Sequence, residues 1–441
     1  MLVPARSYWV ETLGCPKNSV DSDKLTGRLV ADGLTAADDP SDADVVVVNT
    51  CAFVEDARQE SIEVILGLAE ARRDGARLVV TGCLAERYGD ELAAELPEVD
   101  AVVGFGHSLL DPATTPPPAG GAGLVPVLLR PRVGSAGPVA PDVPDFDLLN
   151  LPRPAATAPW AYVKVAEGCD RACGFCAIPS FRGPQRSRPA EAVLAEVDQL
   201  GAAEIVLVAQ DLASYGRDQG VGERGLVPLL RQVADRVERV RLLYLYPSDL
   251  TDALVDAVCA SGVPYFDLSL QHVSRPLLRR MRRWGDGDRF RARIDDIRRR
   301  EPGAALRSNF IVGYPGETED DHDALLRFVE EVELDWCGFF SYSQEDGTYA
   351  ADLDGTVDPA LMAERLAELR ELQDAITERR RADLVGERVE VLVDSPGEGR
   401  THREAPEIDG VVVVPDDLPV GEIASLVVTG AAGPDLHAER P

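Results

Sequence analysis

The placing of the cysteines constrains this chain more than any other feature. Cys169, Cys173 and Cys176 form a CxxxCxxC run within Glu167-Gly-Cys-Asp-Arg-Ala-Cys-Gly-Phe-Cys176, while Cys15, Cys51 and Cys83 come singly, far apart in sequence. The start, Met1-Leu-Val-Pro-Ala-Arg-Ser7, lacks the apolar core of a signal peptide. No apolar run reaches the length of a membrane span. The expectation is therefore a cytoplasmic protein, whose thiols stay reduced, so that metal binding, redox chemistry or burial must account for the 8 cysteines. Three thiolates in a CxxxCxxC loop suit three irons of a [4Fe-4S] cube, and the fourth iron is left open to a substrate or cofactor. A structural zinc site needs a fourth ligand, and no second knuckle follows at finger-like spacing.

The 441 residues suggest about three domains. Over residues 1–110, strand-like runs (Tyr8 to Leu13, Asp44 to Asn49, Arg77 to Thr81, Ala101 to Val103) alternate with helical patterns (Ser19 to Asp32, Glu55 to Arg72, Glu86 to Leu96). Valine-rich strands between helices imply an open parallel α/β domain, with ligands at the C-terminal edge of its sheet. Cys15, Cys51 and Cys83 each follow one of these strands, two of them directly after a glycine, so they can converge on one metal centre. Residues 111–157, with Pro116-Pro117-Pro118 and Gly120-Gly121, read as a linker, Val125 to Leu129 being one possible strand inside it.

Residues 158–385 resume the alternation with six strands: Ala161 to Val165, Glu204 to Ala209, Arg241 to Leu245, Tyr265 to Leu270, Ala305 to Ile311 and Cys337 to Ser341. Helical patterns fill the gaps, including Pro189 to Leu200, Val227 to Val237, Arg275 to Arg282 and Asp320 to Glu333. A partial or complete β/α barrel follows, with a doubly wound sheet as the fallback. A long helix, Pro359 to Leu384, leads to residues 386–441, where short strands at Arg388 to Val393, Gly410 to Val414 and Ile423 to Val428 suggest a small closed β-barrel.

The Cys169 loop resembles the signature of the radical S-adenosylmethionine superfamily, and Ile311-Val-Gly-Tyr-Pro-Gly-Glu317 is similar to its GxIxGxPGE region. The resemblance implies that the open iron binds the amino and carboxylate groups of S-adenosylmethionine and that Phe175 lies near the adenine. Gly313, Pro315 and Gly316 are expected cofactor contacts, because glycine lets backbone approach a ligand closely. Gln210 and Asp211, ending the second barrel strand, are expected on the catalytic face. With Thr12-Leu-Gly-Cys-Pro-Lys-Asn-Ser19, Asn49-Thr-Cys51, Thr81-Gly-Cys83 and a C-terminal barrel of the TRAM type, nearly the whole chain resembles the methylthiotransferases. That family implies two [4Fe-4S] clusters, an auxiliary one on Cys15, Cys51 and Cys83 and a radical one on Cys169, Cys173 and Cys176. An exogenous sulfur (sulfide or persulfide) on the auxiliary cluster is methylated by one S-adenosylmethionine. A second supplies the 5′-deoxyadenosyl radical, and an electron donor such as flavodoxin or ferredoxin is implied.

Two substrate branches are open: one modifies the β-carbon of an aspartate in the twelfth small-subunit ribosomal protein, the other a tRNA adenosine. Cys51-Ala-Phe-Val-Glu-Asp-Ala-Arg-Gln-Glu-Ser61, Leu270-Gln271-His272, Tyr342-Ser343 and Glu345-Asp-Gly-Thr348 resemble the protein-modifying branch, although Ser269 stands where its PLQH motif has proline. Charge points the same way. Against 45 Lys+Arg the chain carries 76 Asp+Glu, a net of −31, and residues 385–441 hold 12 acidic and 4 basic side chains. A tRNA-binding module needs cations for phosphates, whereas an acidic barrel suits a basic ribosomal protein. A non-catalytic iron–sulfur redox protein is the reading from another class, but it leaves the Gly313–Gly316 loop unexplained. Cys259 and Cys337 read as buried thiols, and His272 either touches ligand or completes a strand end. The Arg279–Arg283 run reads as a solvated helix face.

Overall fold

Continuous valine runs build the first sheet. The computed structural model describes residues 6–110, 147–220 and 225–441, so the possible strand at Val125 to Leu129 lies outside the described residues. The chain divides into two units, Met1–Arg153 and Pro154–Pro441. In the first, β1 (Ser7–Thr12), α1 (Pro16–Ala31), β2 (Thr35–Ala36), β3 (Val45–Thr50), α2 (Glu55–Ala71), β4 (Arg77–Gly82), α3 (Cys83–Glu95) and β5 (Ala101–Val102) follow in order. The strands pair in parallel as β2-β1-β3-β4-β5. Every residue of β3 is buried, as a central parallel strand covered on both faces requires. Strand β2 was absent from the periodic pattern because two exposed residues carry no alternation. Register sets Thr12 beside Asn49 and Asn49 beside Thr81, so Cys15, Cys51 and Cys83 leave one edge of the sheet. Residues 147–153, inside the segment expected as a linker, pack on this unit. Leu148 and Leu149 are buried, Lys24 donates to the Leu149 carbonyl, and Arg153 pairs with Asp23.

The second unit begins with β6 (Trp160–Lys164), β7 (Ala166–Glu167), α4 (Ile178–Arg182), β8 (Arg186–Ser187), α5 (Ala190–Leu200), β9 (Glu204–Val208), α6 (Leu226–Ala234) and β10 (Arg239–Leu242). It continues through α7 (Asp252–Cys259), β11 (Tyr265–Gln271), α8 (Arg275–Arg280), α9 (Gly287–Arg300), β12 (Ala305–Val312), α10 (Glu319–Val332), β13 (Trp336–Ser341) and α11 (Pro359–Ala382). Two parallel sheets, β6-β9-β10 and β11-β12-β13, are joined by a bridge between Leu245 and Leu268. Neighbours in space are neighbours in the chain, so this is a partial barrel and the doubly wound fallback is set aside. The helices bury its outer face in one continuous apolar core. The antiparallel pair β7–β8 brackets the Cys169 loop.

Strands β14 (Arg388–Ser395), β15 (Glu398–Arg400), β16 (Val412–Val413), β17 (Ile423–Ala432) and β18 (Asp435–Glu439) close a small barrel around Val391, Val412, Leu426, Val428 and Leu436. The loop between β15 and β16 plugs the partial barrel at the N-terminal ends of its strands, the end away from the Cys169 loop. Tyr162 Oη donates to Pro406 O at 2.8 Å, Trp336 Nε1 to Arg403 O at 2.7 Å, and Arg241 Nη1 to His402 O at 3.0 Å. Tyr265 Oη donates to Asp409 Oδ2 at 2.6 Å. Glu204, fully buried, accepts from Arg241 at 2.7 Å and from Arg400 at 3.1 Å. Burial of these charges is tolerable because each has an opposite partner. No helix among the described residues is long and apolar enough to cross a membrane.

Candidate active site

At the first sheet edge, one side chain ties together the strand ends from which Cys15, Cys51 and Cys83 leave. Asn18 is fully buried, and its Nδ2 donates to Leu13 O and to Thr50 O, both at 2.9 Å. Its Oδ1 accepts from Cys83 Sγ at 3.7 Å, and its own carbonyl accepts from Asn49 Nδ2 at 2.9 Å. The ends of β1, β3 and β4 are thereby tied at one point. Cys15 caps α1 and Cys83 opens α3, so both sulfurs stand at helix N-termini, where the macrodipole favours negative charge. Ser61 Oγ, on α2, accepts from the Cys51 amide at 3.2 Å. Gly14 has φ +96°, and a Cβ there would stand 2.8 Å from Cys51 Cβ and 2.9 Å from its Sγ, so only glycine lets Cys51 reach the Cys15 loop.

The second site lies on the loop after β6 and β7. Cys169 N donates to Gly183 O at 3.1 Å, and Cys169 Sγ accepts from Arg171 N at 3.4 Å. Burial pushes the Cys169 thiol up to about 11, with Asp211 and Cys173 raising it further, and the Cys176 thiol up to about 12, with Cys173 and Cys169 raising it further. Thiolates crowded into a partly dry pocket need a cation to stay ionised. Arg171 Nε binds Asp211 Oδ2 at 2.6 Å and its Nη2 also reaches Asp249. Burial alone raises the Glu167 carboxyl, but Arg182 and Lys164 outweigh it and hold the group at about 2. That carboxylate accepts from Gln210 Nε2 at 2.7 Å, which leaves Gln210 Oε1 buried without a hydrogen-bond partner among the described residues. Phe175 is half-buried against the barrel core.

Gly313 (φ +80°) and Gly316 (φ +87°) turn the loop after β12. A Cβ on Gly313 would stand 2.7 Å from Met362 Cγ and one on Gly316 2.9 Å from Arg280 Nε, both in flexible side chains, so it is the positive φ at each position that favours glycine. Glu317 closes the loop: its Oε2 accepts from Gly313 N at 2.6 Å, and its Oε1 binds Arg365 at 2.9 Å. Pro315 O accepts from Arg280 Nε at 2.8 Å.

Three sequence profiles match the chain: "Uncharacterized protein family UPF0004" over residues 7–104, "Radical SAM superfamily" over 163–329 and "TRAM domain" over 385–440. A curated relative from Kineococcus radiotolerans, "Ribosomal protein uS12 methylthiotransferase RimO", is 42% identical, the match covering 99% of this chain and 97% of the relative. Another of that name, from Nocardioides sp., is 44% identical over 98% and 96% of the two chains. The chain belongs to the RimO family. Among solved structures, the radical S-adenosylmethionine methyltransferase TsrM from Kitasatospora setae, with tryptophan substrate and an aza-SAM analogue bound, superposes with a TM-score of 0.51. It is 15% identical over 86% of this chain and 90% of its own, a likeness of fold alone.

For a RimO-family member, a [4Fe-4S] cluster and S-adenosylmethionine are the groups to fit, and the Cys169 loop suits the cluster. It offers three soft sulfur donors, and burial raises the thiols of two of them, Cys169 and Cys176. Among the described residues no three His, Cys, Asp or Glu side chains converge on a point as ligands of one ion do. Sequence reasoning missed Asn18, although the signal was present: it stands one helical turn after Cys15, facing back over the strand ends. It also missed the Arg171–Asp211–Asp249 cluster, which joins residues far apart in the chain.

The Arg279–Arg283 run is not the solvated helix face expected of it. Arg280 binds Pro315 O, and Arg283 is buried beneath the Cys169 loop, with Nη1 donating to Cys173 Sγ at 3.4 Å. His272 completes a strand end: fully buried, it accepts from Ser274 N at 3.0 Å on Nδ1. Ser269, in place of the motif proline, donates its N–H to Leu245 O at 2.9 Å, a bond between strands that proline cannot make. Cys337 packs against the barrel core, and burial raises its thiol; Cys259 ends α7 half-buried.

Proposed function

We propose that the chain is a methylthiotransferase that places a methylthio group on the β-carbon of an aspartate in ribosomal protein uS12. Cys169, Cys173 and Cys176 would hold the radical cluster, and Cys15, Cys51 and Cys83 an auxiliary cluster bearing an exogenous sulfur. When bound, these groups and S-adenosylmethionine supply the sulfur, the methyl group and the hydrogen-abstracting radical. The chain's own residues do the rest. Asn18 holds three strand ends in register for the auxiliary site. Phe175, Gln210, Gly313, Pro315 and Gly316 would line the S-adenosylmethionine position, and Gln210 Oε1, without a partner among the described residues, would offer an acceptor to an ammonium or hydroxyl. A one-electron carrier of the flavodoxin or ferredoxin kind would reduce the radical cluster.

The observation that carries this reading is the meeting of three separate cysteine-bearing strand ends on Asn18, in a chain whose full-length relatives bear the uS12 methylthiotransferase name. The charge of the C-terminal barrel supports a basic protein substrate. Of its cations, Arg400 and Arg403 are withdrawn into the plug, leaving Arg388 and Arg440 exposed against eight exposed acids: Glu387, Glu390, Glu398, Glu407, Asp416, Asp417, Glu422 and Glu439. Phosphate backbones are repelled by such a face, and basic proteins are attracted. The test offers anaerobically reconstituted enzyme, S-adenosylmethionine, reductant and sulfide to uS12 and to tRNA in parallel. A methylthio mass gain on an aspartate of uS12 is expected. A gain confined to tRNA would refute the substrate assignment.

A further inference from the structure

The segment from Arg280 to Arg283 links both loops of the barrel site. Arg280 O accepts from Tyr314 Oη at 3.1 Å, and Met281 O accepts from Gly174 N at 2.8 Å, inside the cysteine loop. Arg282 adopts φ +55°, a conformation uncommon for a side chain of its size, and this turns the next residue inward. Arg283 then lies buried, with its backbone N–H on Leu278 O at 2.7 Å. Its guanidinium makes three contacts: Nη1 donates to Cys173 Sγ at 3.4 Å, Nη2 donates to Ser269 O, and the group stands 3.9 Å from the Tyr246 ring centroid. The same ring carries Arg171 at 4.0 Å. Among the described residues, no carboxylate forms an ion pair with Arg283, so its charge faces the cysteine sulfur uncancelled by a direct partner.

We propose that Arg283 is a positioning residue that sets the reduction potential of the cluster held by Cys169, Cys173 and Cys176. The inference rests on the reading of that loop as the radical site. Reduction adds one electron, taken from an external one-electron carrier that is itself oxidised by one. No proton is exchanged at Arg283, because a guanidinium stays protonated. The added negative charge is stabilised by a fixed cation in a poorly solvated pocket, and hydrogen bonds to ligand sulfur act in the same direction. Arg283 therefore makes the cluster easier to reduce, and the bond to Cys173 fixes the orientation of that ligand.

The experiment uses the full chain, anaerobically loaded with iron and sulfide and grown with guanidino-15N arginine. Pulsed EPR of the reduced radical cluster should show a 15N coupling that disappears in Arg283→Lys. EPR-monitored titration should place the Arg283→Met potential below that of the native chain, with Arg283→Lys between them and the auxiliary cluster unmoved. An unchanged Met potential at full iron content, equal shifts in Met and Lys, or no 15N coupling in the native chain would each overturn the inference. The native coupling decides the matter if the Met variant fails to load. A loop that assembles no [4Fe-4S] cluster in the native chain, with iron content unaffected by Cys169→Ala, would instead overturn the radical-site reading, and this inference with it.

Discussion

At Asn18 a carboxamide with two donor hydrogens and one acceptor oxygen is used on three different strand ends. Asn18→Ala leaves the Leu13 and Thr50 carbonyls short of a donor, and we expect about 2–4 kcal/mol of lost stability from two unmet buried groups. Asn18→Asp should be at least as damaging, because a carboxylate there faces two carbonyl oxygens. Denaturant titration together with iron counting tests this: under the proposed function, iron at the Cys15, Cys51 and Cys83 site should be lost while the Cys169 loop still loads. His272 gives a pH dependence. Burial lowers its pKa from 6.5 to about 4, so the folded chain keeps it neutral where the unfolded chain takes up a proton. Its contribution to stability is complete above the unfolded value and is lost as pH falls from about 6.5 to about 4, on the order of 3 kcal/mol in all. The slope of unfolding free energy between pH 7 and 5 should flatten in His272→Asn, and an unchanged slope would remove His272 as its source.

At the scale of elements, glycine positions decide whether the loops close. Gly168 has φ +78°, and a Cβ there would stand 2.6 Å from Gly183 O, the acceptor of the Cys169 amide. Neither backbone can yield without parting β7 from β8. Gly168→Ala is predicted to cost about 3 kcal/mol or more and to abolish iron loading at the Cys169 loop while sparing the auxiliary site, as differential iron and EPR quantitation would show. The glycine of Gly14-Cys15 and that of Gly82-Cys83 have related roles: a Cβ on Gly82 would stand 2.5 Å from Thr50 N. Alternating valine strands and intervening helices were legible because their periods are local. The helix α9 was not recognised, since its Arg-rich sequence hides the buried stripe of Phe290, Ile294 and Ile297. Strand β15, three residues long, is defined by its partners β14 and β16 and has too little sequence to announce itself.

Over the second unit as a whole, the C-terminal barrel and the six-stranded barrel share one buried polar network. Arg381 pairs with Glu404, and Thr401 N donates to Glu404 Oε2 at 2.7 Å. Arg239 donates to Arg400 O at 2.9 Å and to Glu390 O at 2.7 Å. Deleting residues 386–441 would strip acceptors from Arg239, Arg241, Tyr162 and Trp336 together. We expect the fragment 154–385 to be insoluble or to lack a cooperative thermal transition, whereas the full chain has one. A cooperative transition in the fragment would show that the plug is dispensable. A milder probe is Glu404→Gln, predicted to cost about 3–5 kcal/mol by leaving Arg381 buried without its counter-charge.

The sequence by itself determined the parallel character of the first sheet, the six strands of the barrel, the closed C-terminal barrel, the strand-end positions of Cys15, Cys51 and Cys83 and the cysteine loop after the first barrel strand. Each of these depends on local periodicity or on residues close together in the chain. Only the tertiary structure decided which side chains serve those cysteines. Asn18 touches groups 32 and 65 residues away, and Arg283 meets Cys173 across 110. The same holds for the inward turn of the arginine run and for the plug that withdraws Arg400 from the surface. Such contacts are set by how separate elements pack, and a pattern read along one dimension carries no record of which buried charge will find which partner.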